Sequence, residues 1–275
     1  MRIQAITWAV NNRGKDFEGA ALRLKDQANK ANIFDDFKIY NEPEFIADKE
    51  FWGEYSNFVL TNPYYGFYIA HPYLCNKHIQ KMNEGDVLIY IDSGCEVNCY
   101  IKQRHIDRMF NYMLKKLDKD LIYTPYTSQP EIHYTKMDTI HHFGFEKYID
   151  SIDEDLQKSN YLQRTNPLAA GQIQTTYVIF KVTAETKRIC SEWWNTCLVN
   201  DMFHLKETPS VRPEHKYFKE HRWEQSIFSL LCKKNNYNKF CPLRNELFYP
   251  LRSRHPESNL VTRDWSNFKL HHRFL

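Results

Sequence analysis

Val87-Leu88-Ile89-Tyr90-Ile91-Asp92-Ser93-Gly94-Cys95-Glu96 is the stretch on which the fold turns. Five apolar or aromatic residues run without a polar break, the pattern of a strand buried on both faces of a sheet. Asn83-Glu84-Gly85-Asp86 just before them is a turn, and the run ends in an acid, a serine and a glycine. Ligands in open α/β sheets sit outside the carboxyl ends of such strands, so Asp92 stands where a site is expected. The flanking sequence alternates strand and helix signals, as a strand of this kind requires. Upstream, Ile3–Trp8 is a short apolar run closed by Asn11-Asn12-Arg13-Gly14. Phe17, Ala20, Ala21, Leu24, Ala28 and Ala31 then recur at helical spacing, with Lys25, Asp26 and Lys30 outside the stripe. Residues 37–40 predict a second strand, closed by Asn41-Glu42-Pro43, and residues 73–82 a helix opened by Pro72. Downstream, residues 101–117, 184–198 and 224–233 predict helices, and residues 121–123 and 175–182 strands. Periodicity fades from about Pro242, so the expectation is one α/β domain over residues 1–241 with an irregular tail, 242–275, packed on it.

The composition agrees with a single large domain. Of 275 residues 42% are hydrophobic and 15% aromatic, enough for a full core and too apolar for disorder. Lys and Arg number 37 against 34 acids, a net charge of only +3, which excludes a strongly basic nucleic-acid binder. No apolar run approaches the roughly 18–20 residues of a membrane span. The first residues lack signal-peptide anatomy. Seven cysteines, an odd number without a CxxC pair, and the lack of any Asn-x-Ser/Thr acceptor point to reduced thiols in a cytoplasmic setting. The 8 glycines form neither GxGxxG nor GxxxxGK[ST], so neither a Rossmann dehydrogenase nor a P-loop NTPase has support.

Three motifs can carry chemistry. Asp92, a carboxylate at a buried strand end, suits a hard divalent ion held against a diphosphate, and Glu96 reaches the same ion if the segment curls. The plainer alternative is that Asp92 caps its turn. Glu220-His221-Arg222-Trp223-Glu224-Gln225-Ser226 crowds charge into the start of a helix. Glu224 there is either a general base on an acceptor hydroxyl, beside His221 or Arg222, or an acid favoured by the helix dipole. Tyr64-Tyr65-Gly66-Phe67-Tyr68-Ile69-Ala70-His71-Pro72 is either core packing or a stacking platform, with His71 and the helix start facing phosphate. His133, His141, His142, His271 and His272 show no metal-ligand spacing.

Taken together, the segment from Gly66 to Pro72 and that from Met82 to Glu96 resemble a group of GT-A-fold glycosyltransferases of large DNA viruses and bacterial polysaccharide clusters. The likeness continues through Tyr134-Thr135-Lys136-Met137-Asp138, the stretch from Gln172 to Phe180, that from Trp193 to Cys197, and Glu207-Thr208-Pro209-Ser210. Glu220 to Leu231 carry it most strongly. The resemblance implies a single GT-A-like αβα domain, with a Rossmann-like nucleotide-binding half, an acceptor half and a mixed central sheet. It implies a hexosyl- or pentosyltransferase that moves a sugar from a nucleoside-diphosphate donor, most readily a UDP sugar, to a glycan hydroxyl. Thr7, Trp8, Ala9 and Arg13 would face the nucleotide, with His71, Asp92, Ser93 and Gly94 also at the donor. Lys136, Asp138, His221, Arg222 and Gln225 would lie near the sugar or acceptor. Asp92 matches the first acid of the family's metal turn, for Mn²⁺ or Mg²⁺, and Glu224 stands where the family has Asp.

The chain departs from that pattern at three places. Gly94 replaces the second acid of the metal turn, leaving Glu96, a distant histidine such as His271, or water to complete an ion's shell. His71 replaces a lysine, which would make a phosphate contact pH-sensitive. Trp223-Glu224-Gln225 replaces His-Asp-Gln, and the extra methylene moves the carboxylate by about 1 Å, enough to matter for rate. Two other classes stay open at this level: a metal-dependent phosphodiesterase or nuclease built on Asp92 and Glu96, and a degenerate fold that binds glycans without turnover.

Overall fold

The structure, a computed structural model, describes residues 1–11, 16–62, 66–160, 163–237 and 247–249. The first half alternates strand and helix: β1 (Ile3–Trp8), α1 (Phe17–Ala31), β2 (Asp36–Tyr40), α2 (Glu42–Ala47), α3 (Lys49–Thr61), α4 (Ala70–Lys81) and β3 (Val87–Ile91). After it come β4 (Glu96–Val97), α5 (Gln103–Asp120), β5 (Ile122–Tyr123), β6 (Tyr126–Pro130), α6 (Glu131–Tyr134), α7 (Met137–His142) and α8 (Ile152–Leu156). The last elements are β7 (Gly171–Ile173), β8 (Tyr177–Lys181), α9 (Ala184–Met202), α10 (Trp223–Lys234) and β9 (Phe248–Tyr249).

Five strands form the central sheet in the order β2-β1-β3-β8-β5. β2, β1 and β3 are parallel, while β8 runs antiparallel to both β3 and β5. The sheet is therefore mixed, as the resemblance implies. All five residues of β3 are buried, each contributing roughly 1.5–3 kcal/mol over an exposed position, which is why the apolar run occupies the centre. Its alternation divides the core. Val87, Ile89 and Ile91 pack with Leu24 and Ala28 of α1 and Ile106 and Phe110 of α5. Leu88 and Tyr90 face the opposite layer, with Tyr73 and Leu74 of α4, Trp193 of α9 and Phe228 of α10. Helices thus cover both faces.

Local sequence explains the helix ends. Asp16 accepts from Gly19 N at 2.7 Å to start α1, and Thr183 and Thr186 form a capping box on α9. Within α9, Val199, Asn200 and Asp201 leave helical geometry, so the regular helix stops where the residues 184–198 prediction stops. Pro72 lies in the first turn of α4, where a missing N–H is tolerated. Of the segment from residue 242 onward, only Leu247 to Tyr249 are described. Leu247 and Phe248 are wholly buried, and Phe248–Tyr249 pairs antiparallel with β4. Among the described residues no helix is long and apolar enough to cross a membrane.

Candidate active site

The chain passes from β1 outward to β2 and then returns to place β3 on β1's other side. Strand order reverses between β1 and β3, and in open α/β sheets it is beyond the carboxyl ends at such a point that ligands sit. Asp92 follows β3 directly. It is half-buried, and its Oδ1 accepts from Tyr90 Oη at 2.8 Å. The antiparallel register pairs Ile91 with Tyr177, which brings residues 175 and 176 beside the strand end. Asp92 N donates to Thr176 O at 2.8 Å, and Cys95 N donates to Asp92 O at 2.8 Å, so the turn is pinned from both sides.

Above Asp92 on the same face, the His71 imidazole stacks on Tyr90 with ring centroids 3.4 Å apart and 22° between planes. His71 Nδ1 lies 3.6 Å from Glu224 Oε1, and both residues are buried, at 2% and 4% exposure. Thr175 Oγ1 donates to Glu224 Oε1 at 3.3 Å, while Trp193 Nε1 donates to Glu224 O at 3.0 Å and holds the start of α10. Burial, and then the negative charge of Asp92, push the Glu224 carboxyl up to about 8. Burial drives His71 well below the usual histidine range, so its imidazole stays neutral and is no pH switch. His71 Nε2 and Glu224 Oε2 are buried and have no hydrogen-bond partner among the described residues.

An aromatic row borders this pair. Trp8 meets Tyr68 edge to face at 6.5 Å, and Tyr68 stacks on Trp223 at 4.3 Å with 12° between planes. Trp223 has φ of +40°, a left-handed conformation that strains a bulky side chain. Its buried Nε1 has no partner among the described residues.

The other predicted site residues fall in several places. Ala9 is buried beyond β1, its N–H donating to Tyr40 O at 2.8 Å. Thr7 is buried at the end of β1, and strand alternation puts its side chain on the face opposite Trp8. Ser93 and Gly94 form the turn after Asp92. Gln225 reaches inward, donating to Gln172 Oε1 at 2.6 Å. Arg13, His271, Tyr64 and Tyr65 lie outside the described residues.

Lys136, Asp138 and His221 gather instead at a separate knot that fastens the loop after α9. Lys136 Nζ donates to the carbonyls of Phe203, Lys206 (3.1 Å) and Thr208 (3.3 Å), and burial lowers it to about 8. Asp138 accepts from Arg212 Nη1 at 2.8 Å and from Val211 N at 2.6 Å. His221 accepts from Lys136 N at 3.3 Å, so its Nε2–H donates to His204 O at 2.7 Å. Arg222 lies over the Tyr134 ring at 3.7 Å and donates to Gln129 Oε1 at 2.5 Å.

Glu96 is 1% exposed in β4, where its charge bears on Arg23 of α1, whose Nη2 donates to Cys95 O at 3.1 Å. Among the described residues no three His, Cys, Asp or Glu side chains are gathered to hold an ion. Among the described residues Asp92 is thus the one predicted ligand left open at the end of β3, and a single carboxylate suits only a cation that substrate phosphates also hold.

Sequence reasoning missed Tyr90, Thr175 and Trp193. Tyr90 carried a signal, a hydroxyl within an otherwise apolar strand, whereas Thr175 and Trp193 matter only through strand pairing and helix packing.

No protein-family model matches the sequence, and no curated protein matches it. Among solved structures the chain is similar to mouse xyloside xylosyltransferase 1 in its apo form, at 9% identity over 86% of this chain and 83% of that one, with a TM-score of 0.43. It is also similar to the apo structure of the WbbM bifunctional glycosyltransferase, at 11% identity over 84% of this chain, with a TM-score of 0.38. The match spans 37% of the WbbM chain.

Proposed function

We propose that this protein is a glycosyltransferase that moves a sugar from a nucleoside-diphosphate donor, most readily a UDP sugar, to a hydroxyl of a glycan. One observation carries it. Where the strand order reverses, the Asp92 charge bears on the Glu224 carboxyl beside a neutral imidazole, and buried polar atoms of Glu224 and His71 lack a partner among the described residues. Buried polar groups are ordinarily satisfied, so atoms left open at a switch point are in keeping with a polar ligand. The sequence resemblance supports the same class.

In the reaction the bond from the sugar's anomeric carbon to the diphosphate oxygen breaks. The acceptor oxygen bonds to that carbon, and the acceptor's hydroxyl proton passes to Glu224 Oε2. A carboxyl near 8 is a stronger base than an ordinary carboxylate, and it takes the proton in its ionised form, which predominates above about pH 8. His71 and Thr175 orient the Glu224 carboxylate from Oε1, and the hydroxyl of Tyr90 fixes Asp92. A bound Mn²⁺ or Mg²⁺ would be held by Asp92 and the donor's phosphates, and would supply charge neutralisation to the leaving diphosphate. Trp8, Tyr68 and Trp223, the last adjacent to Glu224 in the chain, offer ring surface to a base or sugar.

Thermal shift and hydrolysis with a panel of nucleoside diphosphates and nucleotide sugars, with and without Mn²⁺, test this. A ligand that binds only the native state raises the midpoint by mass action. A selective rise with one nucleotide sugar, and its slow hydrolysis without acceptor, is the expected result. No shift and no hydrolysis with any of them would overturn the assignment. A product of retained configuration would move Glu224 from proton acceptor to a group that holds the donor.

A further inference from the structure

Trp223 holds a conformation that its surroundings impose on it. A φ of +40° is unfavourable for a bulky side chain, yet it falls on the first residue of α10. Bonds on both sides fix the backbone there. Arg222 N donates to Tyr134 O at 3.1 Å, and Ser226 Oγ donates to the same oxygen at 2.6 Å. Trp193 Nε1 donates to Glu224 O at 3.0 Å. Strained residues persist where such contacts over-determine them, and they cluster at active sites and ligand clamps.

The indole carries a second, independent sign. Trp193 and Trp223 both pack into the layer around Tyr90 and Phe228. Trp193 Nε1 has the Glu224 carbonyl, whereas Trp223 Nε1 is buried with no partner among the described residues. An indole nitrogen only donates, so the partner it lacks is an oxygen lone pair. Tyr68 stands just before α4 and His71 in its first turn, while Trp223 and Glu224 open α10. The Tyr68–Trp223 stack and the His71–Glu224 pair are therefore neighbouring contacts between the same two segments. The reaction proposed above brings the transferred sugar against Glu224, and so beside this N–H.

We infer that Trp223 is a specificity-determining residue, whose indole N–H donates to a hydroxyl oxygen of the sugar on the nucleotide donor. The inference rests on the transferase proposed above, and it adds which protein atom selects the sugar. A sugar without a hydroxyl at that place leaves the buried N–H unpaired, and a site built on a hydrogen bond discriminates strongly against such an analogue. Trp223→Phe keeps a ring against Tyr68 and deletes the N–H. It should weaken binding of the nucleotide sugar that the parent hydrolyses by roughly three- to tenfold, as loss of one hydrogen bond does. Binding of the matching nucleoside diphosphate and the thermal midpoint should stay at parent values. With tryptophan isotope-labelled at the indole nitrogen, one of the parent's six indole N–H signals should move with the nucleotide sugar and not with the nucleoside diphosphate. That signal should be missing from Trp223→Phe, or from Trp223→His if the phenylalanine variant does not fold.

An equal loss for both ligands with a lowered midpoint would make Trp223 a packing residue and overturn the inference. No loss for either ligand, or no indole signal that tells them apart, would overturn it as well. In each of these cases hydrolysis of the nucleotide sugar by the parent keeps the transferase standing. A parent that neither binds nor hydrolyses any nucleotide sugar would overturn the transferase itself, and this inference with it.

Discussion

Two buried clusters of charge, one around Glu131 and one around Glu224, differ in how completely they are paired. Glu131 Oε1 accepts from Thr135 Oγ1 at 2.5 Å and Gln172 Nε2 at 3.1 Å, while Oε2 accepts from Ser229 and from Lys233 Nζ at 2.7 Å. Lys233 spends another donor on Pro167 O at 2.8 Å. The cluster joins α6, β7 and α10. Glu224, on the same helix α10, has one hydroxyl donor at 3.3 Å and an imidazole at 3.6 Å, and its Oε2 has no partner among the described residues. A fully paired buried network rigidifies the fold, whereas a partly paired one carries a desolvation cost that a ligand can relieve. The first pairs its charges within the protein, and the second leaves a carboxylate oxygen for the reaction proposed above.

Substitutions can break that contrast. The largest effect is expected at Asp92: Asp92→Ala should abolish transfer, and turnover at the parent rate would remove it from the site. Glu224→Gln should keep donor binding but slow transfer by about 10²–10⁴-fold, the usual contribution of a positioned proton acceptor. With Glu224 as that acceptor, the parent's kcat/KM should rise roughly tenfold per pH unit below about 8 and level off above it. A flat profile through that range would assign proton transfer elsewhere.

At the paired cluster the effect should fall on stability. Lys233→Met leaves the Glu131 charge buried without its cation and should cost about 3–5 kcal/mol. In a chain of this size that lowers the thermal midpoint by roughly 10 °C. A loss below about 1 kcal/mol would mean that the pair is not sealed from water.

The smallest effect sharpens the comparison through pH. The Glu224 carboxyl is raised from an ordinary 4.5 to about 8, so the folded state holds its proton more tightly than the unfolded chain does. Stability from this group is fully present below about 4.5 and is lost as pH rises through about 8. Glu224→Gln should therefore raise the midpoint at pH 9 and change it little at pH 5. The opposite sign would show that the carboxylate is paired in the folded protein.

Much of the fold was legible where one local period dominates. β1, α1, β3 and α10 follow from continuous apolar runs or helical stripes whose burial needs no knowledge of distant partners. α3 carried a stripe as well, Phe51, Tyr55, Phe58 and Val59, though it was not among the predicted helices. β4 and β7 hold too few residues for a period to register, β6 is polar and ends in Pro130, and all three exist because of their partners. At the site, Asp92 and Glu224 were legible as acids at a strand end and a helix start. Lys136, Asp138 and His221 were expected beside them and gather at the loop after α9, because three carbonyls of residues 203–208 converge on the Lys136 ammonium.

The sequence by itself determined that Val87–Ile91 is a central strand and that Asp92 leaves it in a turn, because burial of a continuous apolar run and release at Ser-Gly are local matters. Only the tertiary structure decided that β8 runs antiparallel beside β3 and delivers Thr175 and Thr176 to the strand end. Only it stacked His71 on Tyr90 and brought it 3.6 Å from Glu224, 153 positions along the chain. The raised carboxyl of Glu224 is a product of that assembly, since desolvation and a neighbouring charge exist only once helices and sheet have closed around them.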